Sequence, residues 1–214
     1  MFSFFEKSKI TIRSVSIPDF GWPKVKEDDT IIQWVNPEKT IAVSINYFEM
    51  IPDLPTIRDV SVLRSFYRNL VNKANGGLLA AELYKQQEFD VIKTLFKIPQ
   101  QPRGMTYIGS LTIPFSTCSF VLKVHAVEPG MTGIREAMVA DKLLRTGNFD
   151  MADWDCDPYD KDLKTGVVMN MAEAENYDAE FPNHPLSQVR NLLNQIEKGF
   201  QGDPALKKLR FFGC

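Results

Sequence analysis

The chain opens with strand-like alternation. Thr11–Ile17, Thr30–Val35 and Thr40–Tyr47 read as strands, the last two forming a hairpin across Asn36-Pro-Glu-Lys39. In the third stretch Ile41, Val43, Ile45 and Tyr47 fall on every second residue. Side chains of a strand alternate between faces, so these four share one. The period then changes. Val60, Leu63, Tyr67, Leu70, Val71 and Ala74 recur at three- and four-residue steps, which predicts an amphipathic helix. Asp53 or Thr56 is placed to cap it, Thr56 and Asp59 have capping-box spacing, and Gly76-Gly77 ends it. Four strands follow, Leu78–Tyr84, Val91–Ile98, Tyr107–Ile113 and Ser119–Val127, punctuated by the turn at 100–104 and by Pro114. A second helix from Thr132 to Gly147 is expected to bury Ile134, Met138, Val139 and Leu143. A third starts at Pro185, whose missing N–H suits the first helical position. Its stripe is Leu186, Val189, Leu192, Leu193, Ile196 and Phe200.

Strands, a long helix, antiparallel strands and a further helix predict an α+β fold, a mainly antiparallel sheet flanked by helices. Residues 1–147 form the expected sandwich domain. Residues 148–214 form an acidic extension ending in a helix packed on that domain. The element order, with Phe20-Gly-Trp22, Leu54-Pro-Thr-Ile-Arg58 and Tyr107-Ile-Gly-Ser-Leu-Thr112, resembles the PsbP-like superfamily of α/β/α sandwiches, over about residues 1–147. That superfamily includes an extrinsic photosystem II protein, a nuclear-transport factor that binds the Ran GTPase, and bacterial DcrB-like proteins. Some of the last act as chaperones for secreted effectors. The resemblance implies a non-catalytic binding domain and carries no functional residue onto this chain, because fold alone does not set function.

Charge changes the picture after Gly147. Between Asp150 and Glu180 there are ten acidic residues opposed only by Lys161 and Lys164, a net charge of −8. The whole chain is −2, so the remainder is +6. Such a division predicts a contact surface, within the molecule or with a partner. Overall the charge is near neutral, which gives no reason to expect nucleic acid. The first residues lack the basic start and apolar run of a secretory signal, and no apolar run reaches the length of a membrane span. A cytoplasmic protein without membrane insertion is therefore expected. Cys118, Cys156 and Cys214 are widely spaced and odd in number, so no disulfide framework is expected. With only His125 and His184 beside them, a zinc site of the usual type would need nearly every candidate ligand. No cofactor is expected.

Two constellations carry chemistry. Asp153-Trp-Asp-Cys-Asp157 starts like a calcium loop, but the sixth and twelfth positions hold Pro158 and Lys164 instead of Gly and Glu. A looser calcium site stays open beside the preferred reading, an acidic turn anchored by aromatics. Trp154, Asp155, Asp157 and Tyr159 are the candidate partner-binding residues, since Trp and Tyr dominate binding hot spots. If they do not meet a partner, they pin the tail onto the domain. Gly130, Thr132, Gly133 and Arg135, at a strand-to-helix turn, are a candidate anion site, opposed by Glu128 and Glu136. Thr132 can alternatively cap the helix. Cys118 and His125 fall on opposite faces of one strand, which excludes a thiol–base pair in regular geometry. His184 before Pro185 reads as a capping or packing residue. No Gly-x-Ser-x-Gly or His-Glu-x-x-His occurs. The leading expectation is a non-enzymatic protein-binding module of adaptor, effector-chaperone or immunity type. The alternative is a small-ligand binder or enzyme with a site near the Gly130–Arg135 turn.

Overall fold

The computed structural model describes residues 9–147, 149–163 and 166–213; the N-terminal eight residues, Asn148, Lys164, Thr165 and Cys214 lie outside it. Seven strands form one sheet: β1 (Lys24–Glu27), β2 (Ile31–Val35), β3 (Ile41–Phe48), β4 (Gly77–Gln86), β5 (Phe89–Pro99), β6 (Met105–Pro114) and β7 (Ser119–Val127). Their spatial order is β1-β2-β3-β7-β6-β5-β4, and every neighbouring pair is antiparallel. The helices are α1 (Val60–Lys73), α2 (Ile134–Arg145) and α3 (Pro185–Gly199). This is the α+β architecture that the alternating periods predict.

Strand alternation sets the layers. Val91 and Leu95 of β5 join α3 in the main core, while Ile92, with Phe96 and Ile98 packed beside it, joins α1 on the opposite face. The expected α3 stripe is buried throughout, in the same cluster as Tyr107, Leu111, Leu122 and Val124. Gly109 on β6 lets α3 come close, since a Cβ there would stand 2.7 Å from Val189 Cγ1 and press into Leu193. Cys118 lies in this core, whereas His125 is half-buried on the α1 side of the sheet. The hairpin is held by Asn36, whose side-chain oxygen accepts the N–H groups of Thr40 and Ile41.

Four local expectations change. Thr11–Ile17 is not a continuous strand. The hydroxyls of Ser14 and Thr11 accept the N–H groups of Thr11 and Arg13, which winds Ile12–Ser14 into a 3-10 turn. Only Val15–Ser16 then pairs, with Gln201–Gly202. Helix α1 starts at Val60 because the Asp59 carboxylate, rather than Asp53 or Thr56, accepts the N–H groups of Ser61 and Val62. Its buried residues are Leu63, Tyr67 and Val71, and Leu70 is half exposed. The left-handed residue after it is Asn75, at φ 54. Gly76 and Gly77 serve close approach instead: a Cβ on Gly76 would sit 2.6 Å from the Lys97 carbonyl oxygen, and one on Gly77 would collide with that of Val167. Helix α2 begins after Gly133, at φ 77, with no side-chain cap from Thr132. It buries Arg135 and Val139, leaving Ile134 and Met138 exposed. The turn of that face follows from Arg135, whose guanidinium is taken up by the segment beneath the helix. Among the described residues no helix is long and apolar enough to cross a membrane.

Candidate functional site

The acidic–aromatic segment folds back as a belt. Asp157 is only 4% exposed and takes a bidentate pair of bonds from Arg68 of α1, at 2.8 and 2.7 Å. The same carboxylate accepts the Tyr159 N–H. The Tyr159 hydroxyl accepts the Ala81 N–H at 2.8 Å, and the Arg64 guanidinium lies 3.7 Å from its ring centre. Arg64 Nε also donates to the Ala81 carbonyl. Ala81 belongs to β4, the edge of the sheet. An open edge invites pairing with other chains, and here both outward backbone groups of Ala81 are satisfied from within. Trp154 is half-buried against the small cluster of Val139, Ala172 and Tyr177. Asp155 alone of the four candidates is exposed, within a two-residue pairing of Asp155–Cys156 with Met169–Asn170.

A second feature lies on the α1 face, where α1 covers β4 and β5. Beyond it, the end of β3 and the following loop expose Phe48 (46%), Met50 (62%) and Ile51 (68%), facing Leu70 (50%). With Leu54 and Phe66 these line a groove of about 380 Å³, floored by Thr112 and Val121 and carrying Asp53.

The third feature is a polar cleft under the Gly130–Gly133 turn. The anion at this turn is the protein's own: Glu128 accepts the N–H groups of Gly133 (2.9 Å) and Met105 (3.0 Å). Arg135 is buried and donates to the carbonyls of Ala172 and Ala174, to Ser187 and to Asp178. It clamps the 172–178 segment between α2 and α3, with Arg190 bonded to the same Asp178 carboxylate. Of the four candidate anion ligands, the Gly133 N–H and the Arg135 guanidinium are thus engaged within the fold. Beneath them Lys97 and Glu173 form a buried ion pair at 2.7 Å, and Glu173 also accepts the Tyr107 hydroxyl and the Asn170 N–H. Burial pushes the Tyr107 phenol far up, with Glu173 adding to the effect. Burial raises the Glu136 carboxyl, and the nearby charges of Glu128 and Glu173 act in the same direction. His184 caps α3 through Nδ1, which accepts the Leu186 N–H at 3.3 Å. Burial, and then the Arg135 charge, lower its pKa to about 4.

No family model and no curated protein matches this chain. Solved structures are similar to it. The Saccharomyces cerevisiae Ran-binding protein Mog1p is 11% identical, over 90% of this chain and 93% of that one, with a TM-score of 0.48. A mutant of Mog1 is 12% identical over the same shares, at 0.43. A Pseudomonas aeruginosa protein of unknown function is 7% identical, over 64% of this chain and 96% of that one, at 0.34.

The cleft has one signal in the sequence. Lys97 shares strand parity with Val91 and Leu95, so it points into the α3 layer and needs a buried partner. Glu136, Glu173 and His184 carry no such mark, since each comes from a separate element.

Proposed function

We propose that this chain is a non-enzymatic protein-binding module of the PsbP-like kind, and that the groove between β3 and α1 receives its partner. The carrying observation is the gathering of Phe48, Met50, Ile51 and Leu70 around one recess, each with about half or more of its surface in solvent. Single exposed apolar residues are ordinary, but a contiguous apolar patch rimmed by polar groups marks an interaction surface. Asp53 on the lining favours a partner segment that places an aliphatic or aromatic anchor beside a basic residue. The layer order, with α1 and α3 on opposite faces of an antiparallel sheet, supports the kinship. Trp154, Asp157 and Tyr159 serve this reading indirectly, by holding the belt that closes the β4 edge. Adaptor, effector chaperone and immunity protein are the types such a module fits.

The test is affinity purification from the native cell, with mass spectrometry, followed by calorimetry with the recovered partner. A Met50→Asp/Leu70→Asp variant should melt as the wild type does and lose about 2 kcal/mol or more of binding, the scale of a hot spot. Undiminished binding by that variant, or no stoichiometric partner with either protein, would remove the reading.

A further inference from the structure

We propose that the segment received by the groove runs on across the open face of the sheet and sets an aspartate or glutamate carboxylate against Lys123. The inference rests on the groove reading and gives its partner a charge and a register. Thr112 and Val121 form the floor of the groove. They pair with each other, and Val121 pairs on its other side with Asn46. Two residues further along β7 comes Lys123, paired with Ser44 of β3 and Ser110 of β6. Side chains two apart on a strand share a face, at a spacing of about 7 Å. Lys123, Ser44 and Ser110 are therefore the next row of the same floor.

This part of the face lies beyond α1. That helix packs on β4 and β5, and α3 packs on β6 and β7 from the opposite side. Leu122, Val124 and Ala126, which face α3, are completely buried. Val121, Lys123, His125 and Val127 face the other way, and each is partly exposed. In the row beyond Lys123, Val35, Ala42 and Ile108 lie beside His125 and are partly exposed as well. The solvated face of an antiparallel sheet is ordinarily polar. This one carries aliphatic side chains on either side of a polar row, so it suits an extended segment with both kinds of side chain.

The polar row is rich in donors and holds no anion of its own. Among the described residues Lys123 makes neither an ion pair nor a hydrogen bond. The Ser44 hydroxyl accepts from Asn46 at 3.0 Å and keeps its proton to give. Thr94 and Ser110 share one bond at 2.7 Å, so one of those two hydroxyls also keeps a proton. The row continues through Gln33 to Lys26, and none of its side chains is a carboxylate. A part-buried ammonium flanked by hydroxyl donors calls for a negatively charged acceptor. A carboxylate fits better than a phosphate, which ordinarily meets a cluster of basic side chains. Lys123 is the single Lys or Arg on this face of β2, β3, β6 and β7. Lys26 stands three strands away, about 14 Å, and faces Asp28 at 3.5 Å.

The experiment selects random peptides displayed on phage against the full chain and measures the best of them by calorimetry. Selected peptides should share a large aliphatic or aromatic residue with an Asp or Glu about two to four positions from it. Lys123→Glu should bind them at least about tenfold more weakly, since like charges are then opposed. Peptides with that acid changed to Lys should regain binding to Lys123→Glu, which shows the variant to be folded. The inference falls, and the groove stands, if peptides lost by the Met50→Asp/Leu70→Asp variant carry no such acid or bind Lys123→Glu undiminished. If no peptide is selected, or if the selected peptides bind Met50→Asp/Leu70→Asp as they bind the wild type, both readings fall.

Discussion

The belt and the cleft are both clusters of acids, bases and aromatics, yet their hydrogen-bond ledgers differ. In the belt, both Asp157 oxygens, the Tyr159 hydroxyl and the outward groups of Ala81 are paired with one another or with α1. In the cleft, Glu136 and His184 retain buried atoms with nothing to bond. A cluster that satisfies itself acts as a fastening. One that leaves buried polar atoms over carries an uncompensated cost. Residue type does not distinguish them, and Trp154 and Tyr159 drew attention in the sequence for the very property that makes them good fasteners.

The largest test strikes the floor of the cleft. Lys97→Met leaves Glu173 charged and buried without its partner, and urea denaturation should show a loss of about 3–5 kcal/mol. Adding Glu173→Gln should recover much of it; a double variant no better than the single would place the damage elsewhere. Next comes the belt. Asp157→Asn should cost about 1.5–3 kcal/mol, the range for hydrogen bonds to charged groups, and should speed amide exchange along β4. Unchanged stability and exchange would break the distinction between the two regions. Tyr159→Phe should cost about 1 kcal/mol and release the Ala81 amide in particular to exchange.

The smallest effect supplies a baseline outside both regions. Burial, and then the charge of Lys123, hold His125 below its ordinary value of 6.5. The unfolded chain therefore takes up its proton first, and stability falls as the pH drops below 6.5 until the folded pKa is passed. His184 acts in the same direction and further, so His125→Gln should reduce that slope without removing it, and an unchanged slope would show that His125 contributes nothing to it.

Much of the fold was legible because its causes are local. Alternation marked β2 to β7, the Asn36–Lys39 hairpin needed only adjacent residues, and the α3 stripe needed only its own period. The start of α1 was misjudged because three acceptors, Asp53, Thr56 and Asp59, stand within seven residues and the sequence does not say which meets free N–H groups. The buried face of α2 departs from its apolar stripe because Arg135, read in the sequence as an anion ligand, is buried beneath the helix. Its burial depends on carbonyls at Ala172 and Ala174, some forty residues away.

The contrast between a −8 segment and a +6 remainder predicts a contact surface, and four of the ten acids of that segment meet cations elsewhere in the molecule. Asp157 meets Arg68, Glu173 meets Lys97, Asp178 meets Arg135 and Arg190, and Glu180 meets Lys142. The sequence by itself determined the periods, the sheet-and-helix composition and the fact that opposite charges were available, because these are properties of neighbours along the chain. Only the tertiary structure decided which charges were matched and which were left over. A pairing energy depends on distance and burial, and both are set by elements that meet only when the sheet and α3 enclose them.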